Sequence, residues 1–244
     1  MRFWCQLVLY PFILLGLAAC NTLSPNDSFE SQISADPYEG INRKVYAFNN
    51  TVDKAIVRPV AVGYHSIVPD PAERSISNFL SNLNEPLYIV NNLLQGKIDR
   101  ALSSTYRFIL NSTIGIGGLF DVADTYYGVE VANEDLGETL AAWGVKPGPY
   151  LMLPFLGPSN ARDLLGFIGE VNYEQYDIIS DDTSTSTALN ILNVVDIRTS
   201  LLGIDRLINQ QLDPYAFIKV ATEEARIEEL YDGSPPEKKQ DFDF

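Results

Sequence analysis

The sequence has very little cysteine, histidine or positive charge. It contains two cysteines (Cys5 and Cys20), one histidine (His65), and 17 basic against 32 acidic residues, for a formal net charge of −15. Common metal sites need several cysteine or histidine ligands, so this composition predicts no metal and no other cofactor. A surface this acidic repels nucleic-acid phosphates and anionic lipid headgroups, which argues against nucleic acid as a partner and against a polybasic membrane patch.

The groups that common nucleophilic catalysis requires are also scarce. No G-x-S-x-G motif presents a serine, and a serine triad would have to use His65. The acidic pairs at 181–182 and 223–224 are more typical of solvated surface charge than of a carboxylate site. We therefore expect a protein that is not an enzyme.

The N-terminus predicts a lipid anchor. Arg2 is followed by an apolar run over residues 7–19 that is shorter than the roughly 20 residues needed to span a bilayer. Its length fits a secretory signal peptide, residues 1–19. The last four positions, "LAAC", resemble the bacterial lipobox, which predicts acylation of Cys20. Asn21, in place of aspartate, resembles the sorting signal for the outer membrane, so we expect a lipid-anchored protein on its periplasmic leaflet.

The rest of the chain has mainly helical patterns. A polar segment predicts a flexible tether over residues 20–35, followed by one all-α domain over 36–230 and a disordered acidic tail over 231–244. Asp-Pro pairs typical of helix starts occur at Asp36, Asp70 and Asp213. Apolar stripes at helical spacing comprise Ile41, Val45, Phe48, Val52 and Ile56, and then Ile76, Phe79, Leu80 and Leu83.

Prolines set the expected boundaries. We expect the first helix to end or kink at Pro59 and a later helix to open at Pro86. Further helices are predicted at about 99–110, 164–168 and 187–212. The prolines of segment 148–158 predict an extended loop rather than a strand.

The segment "STIGIGGLFDVAD" (112–124) contains three glycines among apolar residues. It lacks the third glycine of G-x-G-x-x-G, follows a predicted helix and has no P-loop lysine, so it does not predict a nucleotide site. The glycines favour a turn with positive φ angles. Its apolar side chains either pack into the core or face lipid or a hydrophobic partner, and the residues alone favour the core.

Several sequence blocks, in a fixed order, resemble the VacJ/MlaA family of outer-membrane lipoproteins. The blocks are "DPYEGINRKVYAFN" (36–49), "RPVAVGY" (58–64), "SNFLSNLNEP" (77–86), "NNLLQG" (91–96), "RFILNSTIGIGGLFDVA" (107–123), "LGETLAAWGVKPGPYLMLPFLGPSNARD" (136–163) and "DPY" (213–215). The opening signature consists of Asp36, Pro37, Glu39, Asn42 and Arg43. The chain departs from the family pattern at 146–147 and in the helix "VATEEARIEEL" after "DPY".

The resemblance implies a ring-like bundle of amphipathic helices that lies in one membrane leaflet, with a central amphipathic channel and a Gly-rich hairpin. It implies a protein that removes mislocalised phospholipid from the outer leaflet and passes it to a soluble periplasmic lipid carrier, with an outer-membrane porin trimer alongside. The alternative is a structural lipoprotein that braces a porin without moving lipid.

The resemblance also suggests site residues. A hairpin that gates the channel would consist of Ile114, Gly115, Ile116, Gly117, Gly118, Leu119 and Phe120. Arg58, Arg107 and Arg162 are candidate contacts for lipid phosphate, with ion pairs or helix caps as the alternative for each.

Overall fold

The computed structural model describes residues 33–170 and 183–236, and helices dominate it, as the sequence predicts. The elements are α1 (Glu39–Val52), a π-helical turn (Asp53–Val57), α2 (Arg58–Ile67), α3 (Asp70–Leu94), α4 (Ile98–Thr113), α5 (Val122–Tyr127), α6 (Leu136–Ala142), β1 (Tyr150–Leu153), β2 (Gly157–Asn160), α7 (Ala161–Glu170), α8 (Thr183–Ser200), a 3₁₀ turn (Leu201–Ile204), α9 (Asp205–Asn209) and α10 (Pro214–Leu230). The predicted signal peptide, Cys20 and residues 237–244 of the predicted tail lie outside the described residues.

Two prolines that the sequence predicts at helix boundaries lie within helical backbone. Pro59 is the second residue of α2, and the π-helical turn before it has the Arg58 N–H donating to the Asp53 carbonyl, five residues back. Pro86 lies inside α3, so the prediction that it opens a helix is wrong. The preceding turn is held by packing: the buried Leu80 and Leu83 contact partly buried leucines of α8. That packing outweighs the one backbone hydrogen bond that a proline removes.

The segment predicted as an extended loop is a β-hairpin, which corrects the sequence expectation. Strand β1 pairs antiparallel with β2, with Tyr150 opposite Asn160 and Met152 opposite Pro158. A two-stranded sheet has only edge strands, where a proline without an N–H is tolerated. The Asn42 side chain occupies the outer edge of β1, because it donates to the Tyr150 carbonyl and accepts from the Met152 N–H.

The described elements contact one another in a closed order. Helix α1 contacts β1, β2 contacts α10, α10 contacts α6, α6 contacts α3, α3 contacts α8, and α8 contacts α2, which leads back to α1 through the π-helical turn. A second apolar cluster joins three of these elements: Tyr150 and Met152 of β1 and Tyr215 of α10 are buried together, and Val45 and Tyr46 of α1 pack against them. The ring-like arrangement stays a prediction; the cavity described below lies between some of these elements.

The described chain begins with residues fixed to the body. The Ser34 N–H donates to Glu223 Oε1 at 3.1 Å, and Lys219 Nζ donates to the Ser34 carbonyl at 3.3 Å. The Tyr150 N–H donates to the Ala35 carbonyl at 2.8 Å. The last residues of the predicted tether are therefore bound to β1 and α10.

Large apolar side chains cover much of the surface. Ile41, Phe48 and Ile56 of the first predicted stripe are 63%, 45% and 61% exposed, and similar side chains are exposed along α4, α7 and α8. Among the described residues, none of the helices is long and apolar enough to cross a membrane. Exposed apolar faces of this extent mark surfaces that contact a membrane or another protein.

Candidate functional site

A cavity of about 450 Å³ lies between α1, the π-helical turn, the β-hairpin and the segment from α8 to α10. Apolar side chains form one part of its wall: Met152, Leu201, Ile204, Ile208 and Ile218. Amides and charged groups form the rest, so the cavity is amphipathic. A molecule with an apolar chain and a polar head matches both parts of this wall.

The charged part of the wall contains three cations and two carboxylates. Arg58 Nε lies 2.7 Å from Asp205 Oδ2, and Arg198 binds both Asp53 and Asp205 at 2.7–3.0 Å. The Asp53 hydrogen bonds raise the pKa of Arg198 further above its ordinary value, which keeps it charged. Among the described residues, no carboxylate pairs with Lys54, the third cation. The wall therefore has a net positive charge although the chain as a whole is strongly acidic.

The π-helical turn explains how two of these groups reach the cavity. Asp53 and Lys54 both belong to the turn, directly before Arg58 and Pro59. Proline lacks the N–H that an α-helix would donate to the Ala55 carbonyl, and a wider turn avoids the clash of the ring with that carbonyl. Such turns inside α-helices are frequent at functional sites.

The three arginines that were candidate headgroup contacts do not converge in the structure. Arg58 lines the cavity and its side chain is 47% exposed. Arg107 is 2% exposed, with its Nε 2.7 Å from Glu85 Oε1 and its Nη2 2.8 Å from Asp121 Oδ2. Arg162 is also buried, with its Nε 2.9 Å from Asp163 Oδ1. Of the three, Arg58 alone lines the cavity, and a headgroup contact there stays a prediction.

The Gly-rich segment 114–120 forms a series of turns after α4, and its apolar side chains are exposed. Ile114, Ile116 and Phe120 are 62%, 64% and 55% exposed, so the expectation from the residues alone that they pack into the core is wrong. Positive φ angles occur at Ile116, Gly117 and Gly118. The segment does not line the amphipathic cavity; with the start of α3 and with α5 it borders a separate groove of about 440 Å³.

A buried polar network holds both ends of this segment. Asp121, which follows it, accepts from Arg107 and from Asn111 Nδ2, both on α4, and Arg107 also binds Glu85 of α3. Arg107 Nη1 donates to the Val129 carbonyl as well. Gly118 lies against Asn82, where an added Cβ would come within 2.6 Å of the Asn82 Cβ. The base of the segment is therefore fixed, whereas nothing lies within 4 Å of a Cβ added at Gly117.

The predicted signature residues hold separate elements together. Asp36 accepts from Asn42 Nδ2 at 2.8 Å and from the Tyr215 hydroxyl at 2.6 Å. Arg43 makes two hydrogen bonds to Asp213, the N-cap of α10, and its guanidinium lies 4.4 Å from the Tyr215 ring centroid. The Arg43 guanidinium lowers the pKa of Asp213 to about 2. The signature and the distant "DPY" block thus form one cluster.

The fold and the cavity define a mainly helical protein with exposed apolar faces and an amphipathic, net positive cavity. The chain belongs to the MlaA lipoprotein family, whose model matches residues 34–229.

Relatives and a solved structure agree with this assignment. An uncharacterized protein of Rickettsia bellii is 42% identical over 78% of this chain and 75% of its own length. The intermembrane phospholipid transport system lipoprotein MlaA of Escherichia coli K12 is 37% identical over 86% of this chain and 81% of its own length. A structure reported as the structural basis for maintenance of bacterial outer membrane lipid asymmetry matches with a TM-score of 0.71 and 34% identity, over 82% of this chain and all of the other.

Sequence reasoning missed most of the cavity's charged groups. Lys54, Arg198 and Asp205 belong to no recognised motif, and Asp53 differs from other helical aspartates only by preceding a proline by six residues. The one feature of the sequence that marks this part of the cavity is Pro59, which follows the charged residues Asp53, Lys54 and Arg58. The pairing of residues 53–58 with residues 198–205 depends on tertiary contact between α8 and α2.

Proposed function

We propose that this protein is an outer-membrane lipoprotein that removes mislocalised phospholipid from the outer leaflet and passes it to a periplasmic lipid carrier. The observation that carries the proposal is the amphipathic cavity, in which Lys54, Arg58 and Arg198 stand beside an apolar wall. Membership of the MlaA lipoprotein family supports it, since relatives with this fold are named for intermembrane phospholipid transport. Transport is passive and non-enzymatic.

The cavity wall suggests how the lipid is held. The phosphate contacts Lys54 and Arg58, where charge-assisted hydrogen bonds to oxygen are strong. The acyl chains lie against Leu201, Ile204 and Ile208 on the apolar side. Because Arg58 already pairs with Asp205, the phosphate competes with a carboxylate and can leave again, as a transport site requires.

The surface suggests how the protein sits at the membrane. Its helices lie within the periplasmic leaflet through their exposed apolar faces, as amphipathic helices do at an interface. The acyl chains on Cys20 anchor it there, each buried methylene contributing about 0.8 kcal/mol. The same proposal includes a ring of helices around a central channel, with a porin trimer alongside.

Cavity variants test the transport role. Cells that carry Lys54→Gln with Arg58→Gln should accumulate phospholipid in the outer leaflet, because the headgroup loses two cationic contacts. Lys44→Gln with Lys146→Gln, at two exposed lysines that line neither this cavity nor the groove beside the Gly-rich segment, is the control and should keep normal levels. Normal outer-leaflet phospholipid in the double variant, or in a strain lacking the protein, would instead favour a lipoprotein that braces a porin without moving lipid.

The Gly-rich segment is proposed as a gate whose tip moves while its base stays fixed. Replacing both Gly117, at the tip, and Gly118, at the base, with valine disfavours their positive φ angles and adds a side chain against Asn82, which stiffens the segment. Outer-leaflet phospholipid should then rise as it does in the cavity variant. A double valine variant that folds and transports normally would exclude this gate and leave the cavity proposal intact.

A further inference from the structure

The carboxylate oxygens of the amphipathic cavity are all occupied by arginines. Among the described residues that line this cavity, the carboxylates are those of Asp53 and Asp205. Arg198 donates from Nε to Asp53 Oδ1 at 2.7 Å, and from Nη2 to Asp53 Oδ2 at 3.0 Å and to Asp205 Oδ1 at 2.8 Å. Arg58 Nε donates to the remaining oxygen, Asp205 Oδ2, at 2.7 Å. Each carboxylate oxygen of the wall therefore already accepts a charge-assisted hydrogen bond.

Cationic donors of the same wall are still free. Arg58 uses its Nε alone: within the described part of the chain, its Nη1 and Nη2 make no hydrogen bond or ion pair. Lys54, an exposed residue of the π-helical turn that lines the same cavity, has no carboxylate partner there either. The cavity thus offers donors to an anion but no free carboxylate to a cation.

The arginine–carboxylate frame resists exchange with an incoming cation. The side chains of Arg198 and Asp205 are only 14% and 17% exposed. Arg198 grips Asp53 with two parallel hydrogen bonds, the geometry that makes guanidinium–carboxylate pairs strong. A lipid ammonium that sought a carboxylate here would have to displace a partly buried guanidinium.

We propose that the amphipathic cavity prefers anionic phospholipids, such as phosphatidylglycerol, to zwitterionic ones, such as phosphatidylethanolamine, and that Lys54 determines the preference. The inference rests on the proposed function, because the headgroup has to enter this cavity. Three cations and two carboxylates leave one excess positive charge, which a single phosphodiester neutralises. The ammonium of phosphatidylethanolamine restores the excess, and it lies near Lys54 and Arg58, where like charges repel.

The headgroup of phosphatidylglycerol meets no such penalty. Its glycerol hydroxyls are uncharged and need no counter-charge. The amides of Asn50 and Asn209 also line the cavity, and amides both donate to hydroxyls and accept from them. Both parts of this headgroup, the phosphate and the glycerol, therefore find compatible groups in the wall.

This local preference opposes the charge of the whole surface. The net charge of −15 repels anionic headgroups at a distance. At physiological salt, however, exposed charges more than about 8 Å apart are largely screened, whereas contacts at a partly buried site are screened much less. The preference should therefore be measured in neutral detergent micelles, where no charged membrane surface forms.

The experiment uses the full chain in a non-ionic detergent, with phosphatidylglycerol that carries a fluorescent acyl chain as the probe. Unlabelled phosphatidylglycerol and phosphatidylethanolamine with identical acyl chains compete for the protein at roughly 150 mM salt. Phosphatidylglycerol should bind about tenfold more tightly. Equal affinities would overturn the preference and leave the lipid cavity in place, whereas failure of both lipids to compete would overturn the proposed function as well.

Reversing the charge of Lys54 tests the assignment to this residue. Lys54→Glu adds a carboxylate without a cation, so phosphatidylethanolamine should bind at least as tightly as phosphatidylglycerol. Lys44→Glu makes the same change at an exposed lysine of α1 that does not line the cavity, and should keep the affinity ratio within about twofold of the wild type. An unchanged ratio in Lys54→Glu, or an equal shift in Lys44→Glu, would overturn the role of Lys54.

Phosphatidylmethanol separates charge from recognition of the glycerol hydroxyls, since its headgroup has neither an ammonium nor a hydroxyl. It should bind within about threefold of phosphatidylglycerol, because its net charge is the same. Binding as weak as that of phosphatidylethanolamine would overturn a preference based on charge.

Discussion

At the scale of single residues, buried charges contribute more to the stability of the fold than the charges at the amphipathic cavity do. Glu85 is fully buried and Arg107 is 2% exposed, and both support the Gly-rich segment through Asp121. The cavity arginine, Arg58, makes an ion pair of similar length at a half-exposed position. Removing one partner of a buried pair leaves an uncompensated charge, whereas an exposed pair contributes little.

Truncating Arg107 should therefore be far more damaging than truncating Arg58. We expect Arg107→Ala to lower the free energy of unfolding by about 3–5 kcal/mol, because Glu85 stays buried without its cation. Arg58→Ala should lower it by no more than about 1 kcal/mol. Denaturant unfolding of the two variants checks the order; similar losses would show that the Glu85–Arg107 pair is not buried in solution.

Burial also shifts the pKa of Glu138, so its ionisation makes the stability of the protein depend on pH. Desolvation raises its pKa to about 8 from an ordinary 4.5, despite the nearby Arg226. The folded state then holds a proton that the unfolded state has released, so this residue lowers stability as pH rises from about 4.5 to about 8.

We expect Glu138→Gln to remove that loss, because glutamine stays neutral and still accepts the Asp135 N–H in the capping box. Relative to the wild type, the variant should gain stability between pH 5 and pH 8, by at most about 1.4 kcal/mol per pH unit. Unfolding midpoints at several pH values measure the difference. A constant difference across this range would show that Glu138 is ionised in the folded protein.

At the scale of elements, the glycines of the Gly-rich segment have different roles. A Cβ at Gly115 would lie 2.3 Å from the Phe120 carbonyl oxygen, and one at Gly118 would meet Asn82 at a φ of +95°. Gly117 has a φ of +71° but open space around it. Close neighbours therefore exclude a side chain at Gly115 and Gly118, in the base of the segment. At Gly117, in the tip, only the positive φ angle disfavours one.

Alanine substitutions should separate these roles. Gly115→Ala and Gly118→Ala should each destabilise by more than Gly117→Ala, which we expect to cost about 1 kcal/mol from backbone strain. Gly63→Ala, in the interior of α2 with nothing within 4 Å, should stabilise by about 0.5–1 kcal/mol. Thermal unfolding of the four variants gives the comparison, and equal effects at 115 and 117 would contradict it.

The elements also show how far the sequence could predict the fold. The stripe of Ile76, Phe79, Leu80 and Leu83 predicts a buried face, and these residues pack together against α8. Local signals failed where tertiary contacts contribute: Pro86 lies within a helix that packs against α8, and the segment predicted as a loop at 148–158 forms part of a hairpin whose edge is bound by Asn42. The cavity's cations could not be predicted, because residues 53–58 and 198–205 are brought together by the fold.

At the scale of the whole molecule, strong negative charge coexists with exposed apolar faces. A net charge of −15 opposes attraction to anionic lipid, so membrane contact has to be hydrophobic. Salt screens the repulsion without weakening apolar contact.

We therefore expect the purified protein, without acyl chains, to bind phosphatidylcholine vesicles equally well at roughly 50 mM and roughly 500 mM salt. Vesicles with anionic lipid should bind it less at the lower salt concentration. Ile116→Asp with Phe120→Asp should reduce binding, and Thr51→Asp with Ser66→Asp, at exposed polar positions, is the control for added charge. Flotation assays measure each case, and binding abolished by high salt would contradict a hydrophobic mode.

The fixed start of the described chain limits how far the body can be from the lipid. On the proposal that Cys20 is acylated, and with Ser34 bound to α10, about 14 residues separate the membrane from the body, and even fully extended they reach no more than about 50 Å. Under the proposed function, the amphipathic cavity therefore stays within that distance of the bilayer, and the length of this segment sets how far from the membrane a lipid can leave the protein.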